Sequence, residues 1–284
     1  MTIATALHYA AFTNTPGGGN PAGVVLDSTG LGEDRMLAIA AALGYSETAF
    51  LQPREGNAYD VRYFSPQAEV PFCGHATIAS AVALAERIGA GDLLFHTRAG
   101  RVPVTTRIEQ GRIEATLTSV IPSVESAPAT LLADALAALH WSVDELDPHL
   151  PPRIGYAGAR HLILAVRTRE RLAALDYDFE ALKRHMHAAD LTTVDLVWRE
   201  STNVFHARNP FPVGGVVEDP ATGAAAAAFG AYLRELRLVA TPATVTIHQG
   251  HDMGRPSLLT VAIGEQGGIR VSGRAVAMTQ PLAA

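Results

Sequence analysis

Residues 71–81 read PFCGHATIASA, and residues 219–227 read DPATGAAAA. Each stretch is a polar, glycine-containing turn that leads into an alanine-rich helix. A second glycine turn follows each one at nearly the same distance: Gly74 and Gly100 are 26 residues apart, and Gly223 and Gly250 are 27 apart. This repeated order and spacing predict two copies of one structural unit. A site built from both helix starts would lie between the two halves.

The composition is that of a chain able to bury a large core. Of the 284 residues, 48% are hydrophobic and 18% are charged, and the length suits two domains. The 22 basic and 28 acidic residues leave a formal net charge of −6, without a run of lysine or arginine. We therefore expect no nucleic-acid partner and no attraction to an anionic membrane.

The number of cysteines and the hydropathy of the chain favour a cytoplasmic location. Cys73 is the one cysteine, so neither an intramolecular disulfide nor a cysteine-rich zinc site is expected. Residues 1–8 show no secretory signal, and no uncharged apolar run is long enough to span a bilayer. The expectation is a cytoplasmic protein without a membrane partner.

Strand and helix patterns mix in both halves. Short strands surround one helix in each half that is apolar nearly all round. This predicts an α+β fold of two pseudo-symmetric domains, each a curved, mostly antiparallel sheet or barrel around a central helix. The predicted domains are residues 1–118 and 130–270, with a linker rich in Ser, Pro and Ala between them. Residues 271–284 are predicted to form a C-terminal strand that packs back on the first domain.

The two helix starts are candidate anion-binding sites. Gly74 in one, and Gly223 and Ala224 in the other, are small residues at the point where unpaired amides face outward. Such a start attracts carboxylate or phosphate, and glycine lets a ligand approach the backbone. The alternative is that the glycines only permit tight packing of helix against strand. Their repetition favours the functional interpretation.

His75 and Asp219 flank these glycines. A histidine in a first helical turn tends to stay neutral and can exchange a proton near pH 7, although a buried histidine bonded to backbone is the alternative. Asp219 could orient the histidine or bind an ammonium group, and it could also cap the second helix.

Glu47 lies in an otherwise apolar stretch, residues 45–50 (YSETAF). A carboxyl group among apolar neighbours tends to have a raised pKa, which suits general acid/base catalysis. The alternative is a strand residue that faces solvent.

Cysteine and metal chemistry find little support in the spacing. Cys73 is interpreted as a buried structural thiol. The pairs His185/His187 and His248/His251 lack the glutamate-containing helical spacing of a zinc hydrolase, so no metal is expected.

Five motifs occur in order and together resemble the PhzF-like phenazine-biosynthesis family. They are residues 20–24 (NPAGV), 46–50 (SETAF), 73–77 (CGHAT), 218–223 (EDPATG) and 249–257 (QGHDMGRPS). The resemblance covers nearly the whole chain. It implies the diaminopimelate-epimerase-like fold, with the site in the cleft between two halves, and a cofactor-free enzyme that is usually a homodimer.

The resemblance also assigns roles. It implies that Glu47 is the acid/base that shuttles a proton, and that His75 and Asp219 bind and orient the substrate. Gly74 and Gly223 would bind its carboxylate or ring substituents through backbone amides, and Asn20 and Ala224 are also expected at the substrate. The family usually has serine where this chain has Ala224.

The resulting hypothesis is a cofactor-independent isomerase that moves a proton on a small carboxylate substrate, similar to trans-2,3-dihydro-3-hydroxyanthranilate isomerase. Two alternatives stay open at this point. One is an epimerase or racemase of an amino or hydroxy acid, and the other is a carboxylate-binding protein without catalytic activity.

Overall fold

The computed structural model describes residues 6–279. Its helices are α1 Glu33–Leu43, α2 Gly74–Ile88, α3 Ala129–Ala138, α4 Arg169–Ala173, α5 Phe179–Ala188 and α6 Gly223–Glu235. The strands of the first half are β1 Leu7–Ala11, β2 Asn20–Val25, β3 Glu47–Pro53, β4 Ala58–Phe64, β5 Glu69–Val70, β6 Asp92–Thr97, β7 Gly100–Glu109 and β8 Arg112–Thr118. Those that follow are β9 Ser123–Ser126, β10 Arg153–Tyr156, β11 Arg160–Val166, β12 Thr193–Arg199, β13 Val204–Phe211, β14 Val216–Asp219, β15 Ala243–Gln249, β16 Ser257–Ile263 and β17 Arg270–Ala277.

The first half is a closed barrel around α2. Its strands pair in the order β1, β2, β3, β4, β6, β7, β8 and β17, and β17 returns to β1. The pairs β2–β3 and β4–β6 are parallel, and the others in the ring are antiparallel. Every residue of α2 from Gly74 to Ala85 is buried. A helix with so little polar surface is stable only where strands surround it.

The second half repeats this order of pairing. Its strands pair in the order β9, β10, β11, β12, β13, β15, β16 and β17. The pairs β11–β12 and β13–β15 are parallel, and the others in this series are antiparallel. The enclosed helix is α6, whose residues Gly223 to Leu233 are all buried. Helices α3, α4 and α5 cover the outer face of β11 and β12 through a separate apolar cluster. The predicted mixed α+β fold with a β-barrel core is confirmed.

One local prediction differs from the structure. Residues 123–126 of the predicted linker form β9, which pairs with β10 and so belongs to the second sheet. The serine and proline content hid this short strand, because only its pairing partner stabilises it. Residues 280–284 of the predicted C-terminal strand lie outside the described residues.

The amino ends of α2 and α6 meet in the middle of the molecule. A Cβ atom built on Gly74 would lie 2.7 Å from the Cα atom of Gly223 and 2.9 Å from the backbone nitrogen of Ala224. Only glycine allows two backbones to approach so closely. Among residues 6–279, no helix is long and apolar enough to cross a membrane.

Candidate active site

The candidate site lies where the two helix starts touch. The N-cap residues of α2 and α6 are Cys73 and Thr222, and neither side chain caps its helix by a hydrogen bond. Uncapped first turns present amide donors and the positive end of the helix dipole. Because both starts converge, their donors can act on one anionic group.

Glu47 enters the site from the first barrel. It is the first residue of β3, opposite Ala22 of β2, and only 6% of its surface is exposed. Its Oε2 atom lies 3.6 Å from Nε2 of His75. The alternative that Glu47 faces solvent is therefore wrong, because the apolar side chains of β3 turn into the barrel and Glu47 turns with them.

His75 is the second residue of α2, and polar groups surround its ring. Its Nδ1 atom lies 3.0 Å from Nδ2 of Asn20 and 3.3 Å from Sγ of Cys73. Its Nε2 atom lies 3.4 Å from the hydroxyl of Ser46. The side chain is 2% exposed, so these neighbours hold the ring in one orientation.

Asp219 enters from the second half, at the end of β14. Its Oδ1 atom accepts a hydrogen bond from Nδ2 of Asn20 at 2.6 Å, and its Oδ2 atom accepts one from Oγ1 of Thr222 at 2.7 Å. The side chain of Asp219 therefore bonds to side chains, not to the first turn of α6, and the capping alternative is not observed. Asn20 also donates to the carbonyl of Ala221 at 2.9 Å and so joins the two halves.

Burial decides the protonation of these groups. It raises the pKa of Glu47, and the neighbouring Asp219 raises it further. The pKa of Asp219 is raised mainly by burial, against hydrogen bonds from Thr222 and Asn20. Burial lowers the pKa of His75 to about 3, so its imidazole is neutral at pH 7. The expected neutral histidine is thus present, but desolvation is the principal cause.

The structure brings the sequence-predicted residues to one place. Glu47, His75, Asn20 and Asp219 form a continuous chain of contacts. Gly74, Gly223 and Ala224 form the backbone beside that chain, with Ala224 4% exposed. Their assignment to catalysis and substrate binding stays a prediction.

Three supporting residues, Ser46, Thr222 and Gln249, were missed as individual residues. Ser46 contacts both His75 and Asn20. The side-chain amide of Gln249 accepts from the backbone N–H of Thr222 at 3.0 Å and donates to the carbonyl of Asp219 at 2.7 Å. All three residues lie within the five quoted motifs, which was the available signal.

One group of side chains has the composition of a metal site. The ligand atoms of Glu47, Cys73 and His75 lie within 4.8 Å of one another. Spacing along the chain did not reveal it, because Glu47 belongs to a strand and the other two residues to a helix start. The expectation that catalysis needs no metal stays a prediction.

The chain resembles known isomerases along its whole length. It matches the family described as phenazine biosynthesis-like protein over residues 9–280. It is 33% identical to the uncharacterized isomerase YfhB of Bacillus subtilis, over 97% of each chain. It is 32% identical to the trans-2,3-dihydro-3-hydroxyanthranilate isomerase of Pseudomonas aeruginosa, over 92% of this chain and 91% of that protein.

A solved structure of a family member has a similar fold. The PhzF-family phenazine biosynthesis protein of Bacillus anthracis is 27% identical, with a TM-score of 0.84 over 96% of each chain. The barrel fold and these relatives define an isomerase. The chain belongs to the PhzC-PhzF family of phenazine biosynthesis-like proteins.

Proposed function

We propose that this isomerase moves a proton on a small carboxylate substrate without a cofactor, in the manner of trans-2,3-dihydro-3-hydroxyanthranilate isomerase. The observation that carries the proposal is the burial of Glu47 against His75, beside two touching helix starts. One group can thus exchange a proton while the amides next to it hold an anion.

In this mechanism Glu47 begins as a carboxylate. It takes a proton from a substrate carbon, the electrons of the broken C–H bond shift the double bond, and the resulting carboxylic acid returns the proton to a different carbon. Burial favours the protonated form and so makes the carboxylate a stronger base near neutral pH. Neutral His75 and Asp219 would hold polar substituents, while the amides of both helix starts stabilise the carboxylate.

The test is Glu47→Gln, which keeps the volume of the side chain and removes its proton-transfer capacity. Incubation with candidate carboxylates in D₂O, followed by mass spectrometry, should show deuterium uptake with the wild-type protein. The variant should exchange at least about 10²-fold more slowly, with an unchanged circular dichroism spectrum. Glu86→Gln, at the other end of α2, is the matched control and should exchange normally. Wild-type exchange by Glu47→Gln would refute the mechanism.

The same experiment distinguishes the epimerase hypothesis. Deuterium at an inverted stereocentre would favour an epimerase or racemase, whereas deuterium at a new carbon with a shifted double bond supports the proposed isomerase. Ala224 places a methyl group where the resemblance has a hydroxyl, so we expect a less polar substrate group there.

The wider organisation belongs to the same proposal. The matched order of strand pairing supports the two pseudo-symmetric domains predicted as residues 1–118 and 130–270, the second extended by β9, while β17 pairs with strands of the first. A homodimer and a cytoplasmic location stay predictions, which analytical ultracentrifugation and cell fractionation would check.

A further inference from the structure

Glu47, Cys73 and His75 offer three different ligand types in one small volume. The Sγ atom of Cys73 lies 3.3 Å from Nδ1 of His75 and 3.9 Å from its Nε2. The Oε2 atom of Glu47 lies 3.6 Å from the same Nε2. The three side chains are buried, and one ligand atom from each lies within 4.8 Å of the other two.

With Nε2 of His75 as the ligand nitrogen, its separations from Oε2 of Glu47 and Sγ of Cys73 are 3.6 Å and 3.9 Å, close to those that zinc requires. Bonds of about 2.0–2.3 Å at tetrahedral angles place two ligand atoms about 3.3–3.7 Å apart. Thiolate, imidazole and carboxylate are the ligands that Zn²⁺ takes in proteins, and a fourth position would stay open to water. We propose that Glu47, Cys73 and His75 bind a thiophilic divalent ion of the Zn²⁺ class.

The surroundings suit a cation. A further acidic side chain, Asp219, is bonded to Asn20, which in turn lies against His75. On binding, the Cys73 thiol and any protonated Glu47 each release one proton to solvent, and neutral His75 supplies a nitrogen lone pair. Asn20 lies 3.0 Å from Nδ1 of His75, the nitrogen that faces away from Glu47, and helps to hold the ring in place.

The ion would act as an inhibitor, not as a cofactor. This consequence rests on the proposed function: an ion that coordinates Glu47 removes the base for proton transfer. Binding itself does not depend on that reaction, so it can be measured without substrate.

The experiment titrates the full-length, reduced protein with Co²⁺ under anaerobic conditions. A cobalt–thiolate bond produces a charge-transfer band in the near ultraviolet, and Cys73 is the only thiol in the chain. We expect the band to saturate at one Co²⁺ per chain and to disappear when Zn²⁺ is added. Cys73→Ser should abolish the band. Glu47→Gln should weaken Co²⁺ affinity at least about tenfold, since even the loss of an outer-sphere partner costs about 10–100-fold.

A surface cluster supplies the control. The rings of His206, His248 and His251 lie 5.1–6.5 Å apart and could take up cobalt on their own. His248→Asn should leave the charge-transfer band intact. Circular dichroism verifies that each variant is folded. Absence of the band in the wild-type protein, its survival in Cys73→Ser, or its loss in His248→Asn overturns the proposal. A failure of Glu47→Gln to change solvent exchange would overturn the proposed function and leave the cobalt result standing.

Discussion

Glu47 and Thr193 hold equivalent places in the two halves, each as the first residue of a strand that runs parallel to its neighbour. Of these two residues, only Glu47 carries an ionisable group. The second half instead supplies Asp219, and Asn20 bonds to it from the first half. The backbone is thus repeated while the chemistry is not, and the two halves form a single site.

Gly74 tests whether the close contact of the helix starts matters. In Gly74→Ala the new methyl group would meet the backbone of Gly223, which cannot move aside as a flexible side chain could. We expect a loss of about 1–3 kcal/mol in the free energy of unfolding and slower solvent exchange. Urea denaturation measures the first effect. Gly91→Ala, at an exposed position before β6 with open space around it, is the control and should change neither. Equal stability of the two variants would contradict the packing argument.

At the scale of elements, the turn after β15 connects the second half to the first by hydrogen bonds. Arg255 donates from Nε to the carbonyl of Gly19 at 2.7 Å and from Nη2 to the carbonyl of Gly18 at 2.6 Å. The N–H of Gly19 donates in return to the carbonyl of Pro256 at 3.1 Å. These bonds end one residue before Asn20, so they position the residue that joins the two halves.

Arg255→Gln should therefore impair the site without unfolding the protein. We expect solvent exchange about tenfold slower or more, because small displacements of a positioned group are costly. Arg169→Gln is the matched control, since Arg169 pairs with Asp252 in the same turn but does not reach the first half. If both variants exchange at equal rates, Arg255 does not position Asn20.

The second half contains a separate cluster of buried polar side chains. His161 contacts Thr193 at 2.8 Å, Thr193 donates to Asn209 at 2.7 Å, and Asn209 donates to Asp195 at 3.0 Å. Asn209 also pairs with Asp219 in the register of β13 and β14. The cluster is therefore adjacent to Asp219 through the pairing of β13 with β14.

Asp195 makes this cluster sensitive to pH. Burial raises its pKa from 3.8 to about 7, against the hydrogen bond from Asn209. Between these values the native state binds the proton more tightly than the unfolded state, so the contribution of Asp195 to stability is lost as the pH rises through this window. Relative to wild type, Asp195→Asn should gain stability from pH 4 to pH 7. Urea denaturation across that range measures the difference, and a constant difference would contradict the raised pKa.

At the scale of the whole molecule, β17 belongs to both sheets. It pairs with β8 and β1, which closes the first barrel, and with β16 of the second half. The last strand of the described residues 6–279 thus pairs with the first. Without it the first barrel is open between β8 and β1, and β16 loses its pairing partner on that side.

A chain that ends at residue 269 should consequently fail to fold cooperatively. Removing β17 exposes the edges of β1, β8 and β16, and unpaired edges in a barrel destabilise it and promote aggregation. Thermal unfolding followed by circular dichroism would show no sharp transition. A chain that ends at residue 279 retains β17 and should unfold like the full chain. Cooperative unfolding of the shorter chain would show that β17 is not required for folding.

The sequence by itself determined the local elements, the two buried helices and the residue types at their starts. It also identified the isomerase family, because ordered motifs and glycine spacing are properties of the chain. It did not reveal strand β9, the hydrogen bonds of Arg255 to the first half, or the group of possible metal ligands formed by Glu47, Cys73 and His75. These features depend on contacts between residues that are separated along the chain. Arg255 and Gly19, for example, are 236 residues apart. Only the tertiary structure decided which groups touch and how burial shifts their pKa values, because desolvation and contact exist only after folding.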